Sequence, residues 1–263
     1  VTGTLRCHYQ HHAHSDPFWY PGLQDITAHV DFSALAEAGC EVGINDLEED
    51  DDARETIRRI EAMGRKAAFY AADISDAAQV EAMMTDYVAD FGTIDVLANN
   101  PYWSSNRPFL ELEGDNWSRT MDVCVKGFFL CSQAAARVMV EHGHGGSIAS
   151  IASVHAGAVW NDDCAYGVAK AAILRLTRSM AVELGRHGIR ANAILPGFMD
   201  TDHEFGAPPP TPDRTEGGSR GTSLVGRAST PEDIGRAIAF LASPSAATIT
   251  GVSLPVDGGL LAW

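Results

Sequence analysis

Apolar positions recur along the chain in two alternating rhythms: short continuous runs, and longer stretches with the spacing of an amphipathic helix. "CEVGIND", "RKAAFYAADIS", "IDVLANN", "GGSIASIAS", "IRANAILPG" and "GVSLPVDGG" are runs of the first kind. Strands covered on both faces read in this way. Between them lie "EDDDARETIRRIEAMG", "AAQVEAMMTDYVADFG", "DNWSRTMDVCVKGFFLCSQAAARVMVEHG", "YGVAKAAILRLTRSMAVELGRHG" and "TPEDIGRAIAFLASP", all helical in pattern. At the start, "VTG" reads as a strand running into a turn and "DFSALAEAG" as the end of a helix closed by glycine. Strands separated by helices predict right-handed crossovers and a doubly wound parallel sheet, one large α/β domain over residues 1–263. Such sheets take ligands at the carboxyl ends of their strands.

Two stretches break the rhythm. Residues 4–24 are rich in histidine and aromatics and read as an insertion. Residues 198–223, rich in Pro, Gly and charge, read as a lid over the carboxyl edge.

Composition narrows the function classes. The chain has 263 residues, 45% of them hydrophobic, enough for a sizeable core. The sequence shows no run of eighteen apolar residues and no leader pattern, so a soluble, cytoplasmic protein is expected. With 19 Lys and Arg and a net charge of −16, nucleic acid and anionic membrane are poor partners. The 5 cysteines show no CxxC spacing, as expected of reduced thiols.

The sharpest chemistry lies in "SVHAGAVWNDDCAYGVAK". Tyr166 and Lys170 are one helical turn apart and share a face. A cation there favours phenolate, so the phenol can exchange a proton with a substrate hydroxyl or carbonyl. Ser153, at the preceding strand end, would hold the same substrate oxygen. On its own, Tyr-x3-Lys also describes a surface tyrosine beside a solvated lysine.

The pattern does not stand alone. Ser153, Tyr166, Lys170, the strand-end "LANN", the "ILPGFMDT" turn and the closing "VDGG" come in the order and spacing of the short-chain dehydrogenase/reductase family, which the chain resembles from about Ala34 to the end. The resemblance implies a Rossmann-like domain, a nicotinamide dinucleotide, and hydride transfer between a secondary alcohol and a ketone. It implies Ser153, Tyr166 and Lys170 as the catalytic set, with Tyr166 the acid/base and Lys170 also on the nicotinamide ribose. Asp46 matches the carboxylate on the adenosine ribose, which repels a 2′-phosphate and favours NAD over NADP. Asp73 and Ile74 match the residues flanking adenine, Asn99 the strand-end asparagine, and Pro196, Gly197 and Thr201 the turn facing the nicotinamide.

The chain departs from the family at three places. The T-G-x3-G-x-G turn keeps Thr2 and Gly3, but Cys7 and Tyr9 stand at the next glycines, and Gly22 can reopen the helix only with Asp25 close to the phosphates. An insertion looped outward would leave a weakened cofactor site, whereas one folded inward would put Phe18, Trp19 and Tyr20 in the cleft. The second departure is Cys124, in place of the asparagine that bends a helix and holds a relay water; a thiol hydrogen-bonds poorly and is not expected to do that work. In the third, "NNPYW" stands for "NNAG" and brings bulk beside the nicotinamide region.

Trp103, Trp160, Phe198, Met199 and Trp263 would gather at the catalytic edge, with His155 near Ser153, and suggest a bulky or apolar substrate. Histidines 8, 11, 12 and 14 have spacings that could hold a metal, but a His-rich surface segment has them too, and no metal is assigned. Two other functions stay open: a cofactor-free enzyme like the halohydrin dehalogenases, which resemble the family but carry arginine where Lys170 stands, and a non-catalytic binder. A binder has no need of the Ser153, Tyr166, Lys170 set. The resemblance implies that the helices over residues 115–142 and 165–187 pack against their copies in another subunit, and here both are apolar on more than one face, so a homotetramer is expected, with a dimer as the alternative.

Overall fold

The structure is a computed structural model that describes the backbone of residues 4–8 and the full residues 32–199 and 223–262. Among the described residues, seven parallel strands form one sheet: β1 (Thr4–His8), β2 (Val42–Asp46), β3 (Ala67–Ala71), β4 (Val96–Asn100), β5 (Gly146–Ile151), β6 (Ile189–Pro196) and β7 (Ser253–Val256). Their order is β3-β2-β1-β4-β5-β6-β7. The chain therefore winds outward from β1 in one direction and then, from β4, in the other. The crevice between β1 and β4 is where such a sheet takes its ligand.

Helices α1 (Ser33–Glu37), α2 (Asp51–Ala62) and α7 (Pro231–Ala242) cover one face, where Phe32, Leu35, Ile60, Ile234 and Ile238 pack on Val42, Ile44, Ala149 and Ile151. Helices α3 (Ala77–Phe91), α5 (Phe128–His142) and α6 (Cys164–Leu184) cover the other, with Met83, Tyr87, Met139 and Ile148 at the centre of the core. Every residue of β2 and β4 is buried, which explains their continuous apolar runs. The helix starts follow local chemistry. Asp50 caps α2 by accepting from Ala53 N at 2.7 Å, and Asp76 caps α3 through Ala78 N and Gln79 N. Thr230 and Asp233 form a reciprocal box at the start of α7, with Pro231 in its first turn.

The predicted elements downstream of Ala34 all appear, but the first strand differs. β1 is Thr4–His8, paired with β2 on one side and β4 on the other, Cys7 standing opposite Asn45 and Asn99. The expected insertion over residues 4–24 therefore begins with the central strand. Cys7 is a strand residue and not a turn glycine. Because the parallel strand begins at Thr4, Thr2 and Gly3 precede its amino end, which corrects the expectation that they open the phosphate turn at the carboxyl edge. Thr2, Gly3, Gly22, Asp25, the remaining histidines of the cluster and Phe18–Tyr20 lie outside the described residues, as do most of the 198–223 stretch, Thr201 and Trp263.

A π-helical turn, Asp122–Gly127, joins α4 (Gly114–Met121) to α5. Close approach at Gly127 keeps this place for glycine: a Cβ there would lie 2.5 Å from Ile74 Cδ1 and 2.9 Å from Cγ1. The continuous helix Gly114–His142 is long and apolar enough to cross a membrane by length and composition, with mean hydropathy 1.4 in its most apolar window. Half of that window is buried inside the fold, where α5 packs on β4, β5 and α3, as in the core helix of a globular sheet protein.

Candidate active site

Taken in strand order, the carboxyl edge presents the site residues in sequence. Asp73 and Ile74 follow β3, Asp46 ends β2, Asn99 lies near the end of β4, Ser153 follows β5, and Pro196 and Gly197 close β6.

The catalytic end is built from β5 and α6. Beyond Ile151 the chain reaches Ser153, which caps a short 3₁₀ turn (Val154–Ala156) by accepting from His155 N at 3.2 Å. That turn packs on α6, whose first turn carries Tyr166 and whose second carries Lys170. Ser153, Tyr166 and Lys170 are all buried, at 1%, 4% and 3% exposure. A buried ammonium needs compensation. Lys170 Nζ donates to Ile151 O at 2.9 Å and lies 5.5 Å from the ring centroids of both Tyr166 and Phe128. The solvated-lysine reading of Tyr-x3-Lys is thereby excluded.

Aromatic rings surround the phenol. Tyr102 meets Tyr166 edge-on at 5.3 Å, and His155 meets it likewise at 5.3 Å. His155 stacks on Trp160 at 4.1 Å, and its Nδ1 lies 2.7 Å from Asp163 Oδ2. Trp103 packs with Val123, Cys124 and Ala169, while Phe198, 36% exposed, follows the β6 turn.

Cys124 does more than its residue type suggests. Its sulfur accepts from Trp103 N and donates to Trp103 O, both at 3.4 Å, clasping the segment after β4 to the π-turn. The helix irregularity is present without an asparagine. The expected loss of the bend is corrected, because the clasp and the absence of a side chain at Gly127 both favour it.

At the end of β2, Asp46 is 7% exposed and its Oδ1 accepts from Leu47 N at 2.6 Å. Burial would raise the Asp73 carboxyl, but hydrogen bonds from the Ser75 hydroxyl and N–H, with Arg119 at 3.5 Å, outweigh it and hold the group below its ordinary value. Ile74 is a core side chain packed against Gly127, so only its backbone is placed to face a ligand. Asn99 likewise spends its amide nitrogen inward, donating to Ser132 Oγ of α5 at 2.9 Å. Gly197 leaves no room for a side chain, since a Cβ would come within 2.7 Å of Asp257 Cα; this contact seats the turn after β6 on the segment after β7.

The edge therefore carries a carboxylate suited to vicinal hydroxyls at one end and a phenol, ammonium and hydroxyl at the other. These donor types fit the ribose and nicotinamide ends of a dinucleotide; the segment that would hold the pyrophosphate lies outside the described residues. Among the described residues no cluster of metal-ligating side chains occurs.

A family model described as enoyl-(acyl carrier protein) reductase matches residues 32–261, nearly the whole described chain. The chain belongs to the short-chain dehydrogenase/reductase family. The 2-dehydro-3-deoxy-D-gluconate 5-dehydrogenase of Dickeya dadantii is 34% identical over 234 residues, 87% of this chain and 88% of the relative. An L-rhamnose 1-dehydrogenase (NAD(P)(+)) of a Sphingomonas species is 35% identical over 225 residues, 86% of this chain and 88% of the relative. The crystal structure of acetoin dehydrogenase from Enterobacter cloacae superposes with a TM-score of 0.77 at 36% identity, covering 88% of this chain and 90% of that one. A second family model, for S-adenosyl-L-methionine-dependent methyltransferases, matches residues 1–48 alone, a stretch whose described residues hold β1, α1 and β2. The enzyme is thus an oxidoreductase of the dehydrogenase type with a nicotinamide cofactor.

Sequence reasoning gives no sign of Asp163. In "WNDDC" nothing separates it from Asp162, yet Asp162 has φ +63 and Asp163 turns inward to His155.

Proposed function

We propose that this enzyme uses NAD(H) to interconvert a secondary alcohol and a ketone, with Tyr166 as the acid/base. The observation that carries the reading is the burial of Tyr166 and Lys170 one helical turn apart on α6, against the strand end that holds Ser153. In oxidation the Tyr166 phenolate takes the proton of the substrate hydroxyl; in reduction the phenol returns it to the developing alkoxide. The Lys170 charge favours the phenolate and would also bind the nicotinamide ribose. Ser153 Oγ donates to the substrate oxygen and holds it beside the phenol. The nicotinamide, when bound, supplies or accepts the hydride.

Asp46 would accept from the adenosine ribose hydroxyls. It is followed by Leu47 and the acids from Glu48 to Asp52, with no base among them to receive a 2′-phosphate, which favours NAD over NADP. Asp73 and the backbone of Ile74 would flank adenine, and Asn99, Pro196 and Gly197 would line the ribose and nicotinamide, with Thr201 completing the site. Trp103, His155, Trp160 and Phe198 would shape the substrate pocket toward a bulky or apolar alcohol or ketone. Relatives named as dehydrogenases of hydroxylated small molecules support an alcohol as substrate.

The assembly we propose is a homotetramer, supported by apolar side chains left exposed on the α5 and α6 face, among them Phe129, Val168 and Val182. A cytoplasmic location agrees with free thiols at Cys40, Cys124, Cys131 and Cys164. NADH titration followed by tryptophan fluorescence, with turnover of a panel of secondary alcohols by wild type and Tyr166→Phe, tests the reading. Saturable NADH binding, and turnover abolished by Tyr166→Phe, are expected. Absence of NADH binding would overturn it.

A further inference from the structure

We infer that Asp163 and His155 are a positioning pair that holds the ring of Tyr166 for proton transfer. The inference rests on the acid/base reading of Tyr166.

A phenol at the first turn of a helix can swing about its side-chain torsions, and a small misplacement of an acid/base group costs rate steeply. Two edge contacts restrain the Tyr166 ring, one from Tyr102 and one from His155. The His155 ring is fixed in turn. Its Nδ1 is 2.7 Å from Asp163 Oδ2, its face stacks on Trp160, and its backbone N–H is held by Ser153 Oγ at 3.2 Å. Asp163 Oδ2 also accepts from the Trp160 backbone N–H at 3.3 Å, so one carboxylate oxygen ties the His155 ring to the segment that carries Trp160. An ionised carboxylate only accepts, which places a proton on His155 Nδ1 and fixes the orientation of the imidazole.

The backbone is arranged to deliver that carboxylate. Asp162 has φ +63, a left-handed conformation that L-residues rarely adopt. Its carbonyl is held by Arg107 N at 3.2 Å, from the segment after β4. The turn carries the chain from the exposed Asn161 to Asp163, which is 5% exposed. Strain retained next to a catalytic side chain is characteristic of a site the surrounding fold over-determines. Gly167, the residue after Tyr166, completes the fit: a Cβ there would stand 3.3 Å from His155 O and 3.4 Å from Asp163 Oδ2. A pair buried this deeply adds little stability over apolar residues of the same volume, and its use is in enforcing one geometry.

The test compares Asp163→Ala, Asp163→Asn, His155→Ala, His155→Phe and the Asp163→Ala/His155→Ala double variant with wild type and Tyr166→Phe. Thermal midpoint, NADH affinity, and kcat and KM for alcohol and NAD are measured. The alanine variants should each lose about tenfold or more in kcat with KM for NAD unchanged, and the double variant should be no worse than the worse single, because the two act as a unit. Asp163→Asn should recover most of kcat, since an amide oxygen still accepts from Nδ1. His155→Phe keeps the stack without the hydrogen bond, and decides the matter if the alanine variants fold poorly: it should lose kcat at a normal midpoint. Normal kcat in His155→Phe and Asp163→Ala, or additive losses in the double variant, overturns the inference while leaving Tyr166 in place. An active Tyr166→Phe overturns both.

Discussion

The contact between Gly127 and Ile74 ties the π-turn to the segment after β3, and Gly127→Ala perturbs it at one atom. The added methyl would lie 2.5 Å from Ile74 Cδ1, well inside van der Waals contact, and Ile74 is 4% exposed with its neighbours packed around it. Overpacking of this kind costs about 1–3 kcal/mol. For a chain of 263 residues, an unfolding entropy of roughly 0.55 kcal/mol/K turns that into a fall in Tm of about 2–5 °C. Ile74→Val removes the offending Cδ1 and alone should cost about 0.5–1.5 kcal/mol. Together the two should cost about 1 kcal/mol less than their sum, because the valine removes the closer contact and leaves only the one with Cγ1 at 2.9 Å. Thermal unfolding of the four proteins, followed by circular dichroism, measures the coupling. Losses that add within about 0.5 kcal/mol would show that the glycine is not there to admit Ile74, and the argument would fail.

Other outcomes follow from single residues. Asp46→Ala should lower kcat/KM for NAD about tenfold or more and narrow the preference over NADP, by steady-state kinetics with both cofactors; improved use of NAD would refute the ribose assignment. Hydrogen bonds from Arg227 hold the Asp233 carboxyl at about 2 against an ordinary 3.8. A depressed folded value contributes stability above about pH 4 that is lost as pH falls toward 2, so Asp233→Asn should flatten the acid limb of the midpoint–pH curve, and an unchanged limb would refute it. Phe129→Asp, on the exposed face of α5, should shift sedimentation to a smaller species with the sheet intact by circular dichroism; an unchanged species would place the subunit contact elsewhere.

Much of this architecture is visible in the chain because its strands are covered on both faces and its helices are capped by their own residues. Asp50, Asp76 and Thr230 each stand where a helix starts. Tyr166 and Lys170 are legible from spacing alone, since a helix converts four residues into one shared face. β1 is not. "TLRCH" mixes a cation and a histidine into a short run, and its strand character comes from pairing with β2 and β4, which no local pattern reports. The clasp of Cys124 on Trp103 is equally silent, because residue type alone suggests a weak thiol while the π-turn places it against both polar atoms of one peptide segment. Asp163 is hidden for a third reason: its role depends on the backbone sign of its neighbour.

The strand order also sets a schedule for folding. β1 borders β2 on one side and β4 on the other, so a chain emerging from the ribosome completes β1, β2 and β3 while the β4 side of its central strand still waits for residues 96–100. Until then that row of N–H and C=O groups is an open template for any extended segment nearby. Closure of the seam joins residues some ninety positions apart, Thr4 with Val96 at its near end, a long-range pairing of the kind that slows folding. The same seam at which the winding of the sheet reverses in the finished protein is, in the nascent one, the interval of greatest exposure to aggregation.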